Sequence, residues 1–384
     1  MRELNVKFGQ MDGESKNLDG HGETTTSSRR TFLKLAGAGT AVSLAGCIGG
    51  AESTGMLESV TYRHRFKRIG LVPSLHDAGE KFGTWEDAGL SVDFLSSSGS
   101  QETAKAVAAG ENHFGDGGMG AILKAIEDGA PLVILGQELD PIRGIVTLKE
   151  NDINSWKDLE GKTIGKFPFA ITDMVEEAMK RKGVDVSTIE FQNVSPSASF
   201  QMLIEGKLDA LSRYVPQAVD ELEYKGHPAV GFYTSNVIDY LGPCVYTRKS
   251  MVEEHPETVR AFMEGWLKNF KLFANKTDKV IEAYKPLVSG DFNEELERKT
   301  LPELFAAQAP KREIGNSHGK GWITADRMKT TVNTFHEAGI IDSTSPIESY
   351  YSEKFLAQNQ KVAIDSAKAI YNRLEQYDIG PDYV

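Results

Sequence analysis

From Phe66 onward, short apolar runs alternate with stretches in which apolar residues recur every three or four positions. That is the rhythm of βαβ units built on a mainly parallel sheet. In the first group, Arg68-Ile69-Gly70-Leu71-Val72 predicts a strand, residues 76–89 a helix and residues 90–95 a second strand. The turn Ser96-Ser97-Ser98-Gly99-Ser100 opens a helix over 101–109, followed by a short strand around His113-Phe114-Gly115, a helix over 119–128 and a strand over 131–135. A second group with the same grammar begins near Ile145, with strands at 163–165, 188–193 and 208–211 and helices at 172–182 and 198–206. After one more strand at 241–247, helices dominate at 256–274, 276–288, 293–307, 325–338 and 358–377. In the first of these, Val259, Phe262, Met263, Trp266, Phe270 and Phe273 share one face, which marks them as core. The simplest architecture is two α/β lobes, the second (145–235) inserted into the first (60–144 and 236–384), with a helical tail.

The first part of the chain breaks this rhythm. Residues 1–28 are polar and aperiodic, so they should not pack a core. Ser28-Arg29-Arg30-Thr31-Phe32-Leu33-Lys34 then supplies paired positive charge, and residues 35–45 supply mild hydrophobicity diluted by Gly, Thr and Ser. The run is too short and too weak for a membrane helix. An amphipathic surface helix could carry the Arg29-Arg30 pair, but here Leu44-Ala45-Gly46-Cys47 follows at the right distance. Together these pieces resemble a twin-arginine export signal ending in a lipobox. That resemblance implies removal of residues 1–46, a lipid on the Cys47 thiol, and 338 residues remaining of the 384. Residues 47–59 become a tether, of which residues 48–58 reach about 35 Å when extended.

Composition narrows the possibilities. The first 46 residues hold six basic and five acidic side chains, leaving 37 basic against 50 acidic in the remainder. Such an acidic surface disfavours nucleic acid as a partner; it serves solubility and also suits hydration in high salt. Only two cysteines, Cys47 and Cys244, are present, so zinc ribbons, four-thiolate clusters and a disulfide framework are excluded. With Cys47 lipidated, Cys244 has no partner within the chain. The eight histidines are scattered without metal-ligand spacing, and nothing in the sequence points to a metal or a cofactor.

Several phrases in order carry a further resemblance: Gly99-Ser100 after the second strand, Ala108-Ala109-Gly110-Glu111-Asn112-His113-Phe114-Gly115, and Ala125-Ile126-Glu127-Asp128-Gly129-Ala130-Pro131. Trp156-Lys157-Asp158-Leu159-Glu160-Gly161-Lys162-Thr163-Ile164-Gly165 and Leu203-Ile204-Glu205-Gly206-Lys207-Leu208-Asp209-Ala210 with Pro216 follow. Across residues 66–275 this set resembles the nitrate/sulfonate/taurine/pyrimidine-precursor branch of ABC-transporter solute receptors. The resemblance implies the two-lobed type II periplasmic binding protein fold, with a ligand cleft between lobes and a helical C-terminal tail. It implies a monomeric, lipid-anchored receptor that captures a small anionic or heteroaromatic solute and passes it to permease subunits outside the cytoplasm.

In an open α/β sheet, ligands sit beyond the carboxyl ends of strands. The loops there supply Ser74, His76, Gly99, Ser100, Asp116 and Gly117 from the first lobe and Phe169, Thr172, Arg213 and Tyr214 from the second, with Tyr240 near the return crossover. Ser100 and Thr172 precede helices, where free N–H groups can hold an oxyanion or the hydroxyls can act as caps. Asp116 can accept from an amine or a pyrimidine N–H while Gly117 lets backbone approach. Arg213 suits an anion, and Tyr214, Phe169 and Tyr240 suit a planar group. His76 is either a surface or capping residue or a donor to the ligand.

The same broad fold includes pyrimidine-precursor synthases and menaquinone-pathway enzymes, so fold alone does not decide function. The cysteine-rich iron segment of the fungal pyrimidine synthases is missing, and no G-x-S-x-G, H-E-x-x-H or Walker loop is present. The expectation is therefore a receptor without turnover, with an enzyme of this fold or a solute-sensing surface receptor as the alternatives.

Overall fold

The computed structural model describes residues 55–68, 75–167, 173–288, 290, 292–344 and 350–377. The expectations for Arg29, Arg30, Cys47, Ser74, Phe169 and Thr172 lie outside the described residues.

The chain enters the fold through β1 (Ser59–His64), where Val60, Tyr62 and His64 point inward and Ser59, Thr61 and Arg63 outward. The strand expected at 68–72 lies outside the described residues except for Arg68, and β1 is a strand that the expectation does not include. The alternating stretch SVTYRH has the two-residue period of a half-buried strand, whereas the prediction favoured the contiguous apolar run that follows. The helix predicted over 76–89 breaks up as well: α1 (Leu75–Ala78) gives way to two tight turns of 3-10 helix.

β2 (Ser91–Ser96), α2 (Ser100–Ala108), β3 (Phe114–Gly117), α3 (Met119–Glu127) and β4 (Leu132–Gln137) follow close to their predicted positions. The chain then crosses into β5 (Arg143–Leu148), β6 (Thr163–Lys166), α4 (Asp173–Arg181), β7 (Glu190–Asn193), α5 (Pro196–Ile204) and β8 (Ala210–Tyr214). Two further elements, α6 (Val215–Tyr224) and β9 (Ala229–Tyr233), are absent from the sequence reading, which ended this region in a loop. The chain crosses back into β10 (Cys244–Arg248) and continues as α7 (Lys249–Glu254), α8 (Pro256–Asn275), α9 (Thr277–Tyr284), α10 (Glu294–Gln308), α11 (Arg312–Ser317), α12 (Ala325–Glu337), α13 (Lys354–Gln358) and α14 (Gln360–Glu375).

Among the described residues the strands form two five-stranded mixed sheets, ordered β2-β1-β3-β10-β4 and β7-β6-β8-β5-β9. In the first, β10 runs antiparallel between β3 and β4; in the second, β5 runs antiparallel to both β8 and β9. Residues 138–142 and 234–243 are therefore the two segments that carry the chain between sheets.

The main core wraps α8. All six residues predicted for its inner face are at most 1% exposed, and Phe262 stacks on Phe114 of β3 with ring centroids 3.7 Å apart. Cys244 is buried in β10 with a free thiol, which burial makes a weaker acid.

Candidate functional site

The carboxyl ends of β1, β3 and β4 meet at a buried cluster of charges. His64 ends β1; its Nε2 lies 2.6 Å from Asp77 Oδ1 and its Nδ1 3.0 Å from Asp116 Oδ2. Arg65 donates from NH1 to Asp116 Oδ1 at 2.5 Å and also to Glu138 Oε2, while its backbone N–H donates to the same Asp116 oxygen at 3.2 Å. Arg68 closes the chain on Asp77 and on the carbonyl of Phe94. His64, Arg65, Asp77, Asp116 and Glu138 are each at most 4% exposed.

Charges so deep are stable only when paired, and the pairing sets their protonation. Burial alone would strip His64 of its proton, but the Asp77 charge and hydrogen bonds to Asp116 and Asp77 overcome this and raise it to about 9. Burial works against ionised Asp116 too, yet Arg65 and His64 hold its carboxyl well below the ordinary range. Glu138 is pushed up, chiefly by burial and in spite of Arg65. Three cations thus face three carboxylates, and the cluster is close to neutral.

The second sheet meets this cluster through aromatic rings. Arg143 opens β5 directly opposite Tyr214, the last residue of β8, with its guanidinium carbon 5.1 Å above the Tyr214 ring. Phe66, just beyond β1, sets its ring edge-on to Tyr214 at 6.2 Å, and Arg65 lies 5.5 Å over the Phe66 ring. Two buried donors here, Arg65 Nε and Arg143 NH1, find no partner among the described residues.

Of the residues predicted from sequence, Asp116 and Tyr214 belong to this junction, and Asp116 is already held by His64 and Arg65. Ser100 is the first residue of α2, and its hydroxyl accepts from the Gly118 N–H at 3.1 Å, so it fastens the loop after Asp116. Gly99 caps α2 through its carbonyl, which accepts from Thr103. Gly117 is small because a side chain there would press on Ser100 and Tyr246.

Three expectations need correction. His76 is neither on the surface nor a cap: it is buried against Trp266, Phe270, Trp85 and Tyr62, both ring nitrogens lack a partner among the described residues, and burial drives its pKa well down. Tyr240 packs edge-on to Phe335 and hydrogen-bonds Thr234 at 2.7 Å, so its ring is committed to the crossover rather than offered for stacking. Arg213 and Tyr214, consecutive on β8, point to opposite faces; Arg213 turns to Ser199, Phe200 and Phe167, where burial lowers its guanidinium to about 10.

His64, Arg65, Phe66, Asp77, Glu138 and Arg143 went unread in the sequence. His64 ends β1 and Arg65 and Phe66 follow it, whereas the strands expected from the sequence begin only at Arg68. Glu138 follows β4 and was findable by the strand-end rule itself. Among the described residues no group of His, Cys, Asp or Glu is arranged to hold a metal ion.

The sequence model of the family described as NMT1/THI5 like matches residues 78–279, more than half of the chain. A taurine-binding periplasmic protein of Escherichia coli K12 is 27% identical over 189 residues, 47% of this chain and 57% of that protein. A 4-amino-5-hydroxymethyl-2-methylpyrimidine phosphate synthase of Schizosaccharomyces pombe is 24% identical over 200 residues, 48% of this chain and 56% of that protein. The chain thus spans just over half the length of these two relatives. Among solved structures, the alkanesulfonate-binding protein SsuA of Xanthomonas axonopodis pv. citri, bound to MOPS, has a TM-score of 0.60 at 14% identity, covering 77% of this chain and 99% of that one. At that identity the likeness is one of fold, the type II periplasmic binding fold with C-terminal helices.

Proposed function

This chain belongs to the NMT1/THI5-like family, and from that premise we propose that it is an extracytoplasmic solute receptor, tethered through Cys47 and serving an ABC importer. Its solute is a small anion with a planar or apolar body, a sulfonate, carboxylate or anionic heterocycle, captured as the two sheets close. The observation that carries this reading is the pair of buried, unpartnered guanidinium N–H groups, Arg65 Nε from the first sheet and Arg143 NH1 from the second. A buried donor left unsatisfied costs about 1–3 kcal/mol, which an oxyanion bound at the junction would recover. Phe66 and Tyr214 supply the apolar wall beside it. The first-sheet cluster balances its own charge, so Arg143 tips the junction positive, which favours an anion.

The test is a thermal-shift and calorimetric screen of nitrate, taurine, alkyl and aromatic sulfonates, carboxylates and aminopyrimidines. The expected hits are anions. Arg143→Ala should weaken the best of them by about ten-fold or more, the worth of a charge-assisted hydrogen bond, with little change in melting temperature. Failure of every anion, or undiminished affinity in Arg143→Ala, would sink the assignment. For the anchor, Cys47→Ala should release the exported protein from the membrane fraction.

The synthase relative favours a second reading, an enzyme of the same fold. It requires turnover: consumption of a bound pyrimidine precursor by purified protein would displace the receptor reading, whereas stoichiometric binding without product supports it.

A further inference from the structure

Behind the crossing segments, on the side away from Arg65, the structure holds a cavity of about 320 Å³. The backbone just after β4 separates the two sites: Glu138 bonds Arg65, while Gln137 and Leu139 on either side of it line this cavity. The opposite walls come from the end of α10, from α11 and from the start of α12.

Two of its three cations are already occupied. Arg327 of α12 donates to Asp239 Oδ1 at 3.2 Å, Gln137 Oε1 at 3.0 Å and Asp140 Oδ1 at 2.6 Å, which uses all three of its nitrogens. Lys320 is buried with its ammonium on the carbonyls of Gln137 and Glu138. Lys311 stands exposed at the cavity wall.

The acceptors, by contrast, retain capacity. The hydrogen bonds seen among the described residues use one carboxylate oxygen each of Asp140 and Asp239, and Glu313 and Asp326 add two more carboxylates to the wall. Gln308 lines the same cavity at 3% exposure, and its Oε1 has no partner among the described residues. Trp322 lines the same cavity, with its ring 4.3 Å from that of His318. Four carboxylates and the Gln308 oxygen, against the one exposed ammonium of Lys311, select a ligand with positive charge and N–H groups.

We propose that this cavity is a second binding site, which takes a small organic cation bearing N–H donors, a primary alkylammonium or a guanidinium. Its occupant hydrogen-bonds Gln308 and the free carboxylate oxygens of Asp140 and Asp239, and lies against Trp322. The site stands apart from the junction between the sheets and does not depend on which solute that junction takes.

The experiment is calorimetry and tryptophan fluorescence on the full chain with 1,4-diaminobutane and methylguanidinium chlorides at fixed ionic strength. Tetramethylammonium chloride, which has no N–H donor, and sodium acetate, of opposite charge, are the comparison solutes. Saturable one-to-one binding of at least one N–H cation is expected, with no saturable binding of either comparison solute. Gln308→Leu should weaken it by at least ten-fold, and Glu313→Gln, on the exposed side of α11, by about three-fold. Arg143→Ala, which removes a donor of the other site, should leave it unchanged, so failure of the junction reading leaves this result intact. The proposal is overturned if neither cation saturates, if tetramethylammonium binds as well, or if Glu313→Gln and a folded Gln308→Leu both bind like wild type.

Discussion

His64 and His76 show how one residue type takes opposite charge states within one core. Both lie against Tyr62, with ring centroids 4.6 and 5.9 Å from it. His64 faces two carboxylates and is held protonated to about pH 9. His76 faces aromatic rings and the His64 charge and stays neutral. Their contributions to stability therefore run in opposite directions with pH. For His64 the folded pKa is raised, so its stabilisation is full below about pH 6.5, the unfolded value, and is lost as pH rises through about 9. For His76 the folded pKa is depressed, so stability falls as pH drops below about 6.5. Lys320, lowered by burial to about 8, regains stability only above that pH, which leaves the window between about 6.5 and 8 to His64. The melting temperature should thus peak near pH 6.5. His64→Gln should flatten its alkaline limb, and His76→Phe, which removes two unpartnered nitrogens, should flatten the acid limb and add about 1 kcal/mol at pH 6. Melting curves of the two variants across pH 5 to 9 check this; an unchanged acid limb in His76→Phe would contradict the neutral assignment.

At the scale of elements, α8 carries most of the first core, and one small residue makes that possible. A Cβ on Gly265 would sit 2.4 Å from the Trp85 ring, so the indole lies directly on the helix backbone. Gly265→Ala gains helix propensity but overpacks this contact, and the net cost should be about 1–3 kcal/mol. Pairing it with Trp85→Leu should recover part of that loss, a non-additivity that urea melts of the single and double variants would measure. The face of α8 was legible because its apolar residues keep helical period over a long stretch. The sequence after Leu211 was not, because α6 begins with Val215-Pro216 directly at the end of β8 and no turn residues separate the two.

At the scale of the molecule, the two sheets are joined by more than the crossing segments. Arg327 ties residues 138–142 to residues 234–243 by bonding Asp140, Asp239 and the carbonyl of Tyr240. α10 reaches the second sheet through Glu303, which accepts from Tyr233, and through Lys299, which pairs with Asp220 and Glu223. Arg181 on α4 pairs with Glu337 on α12. The helices that follow β10 therefore brace both sheets, so the closure proposed above would have to bend these ties as well as the crossing segments. Arg327→Ala should speed amide exchange in both crossing segments while leaving β1 unchanged, as exchange mass spectrometry would show. Equal exchange in the variant and the wild type would mean that the tie carries no load.

Local periodicity was enough to specify the α/β alternation, the core face of α8 and the strand ends where a ligand could sit, because each depends on residues near one another in the chain. The phrases spread over residues 66–275 were likewise enough for the family resemblance. What only the tertiary structure decided is which charges meet. Arg65 pairs with Asp116 across 51 positions and with Glu138 across 73, and Arg143 reaches Tyr214 through strand register. Strand order sets those meetings, and no local pattern encodes strand order. The protonation of His64 and His76 was hidden for the same reason: it depends on the carboxylates and rings that packing brings to each, which neither histidine's neighbours in sequence announce.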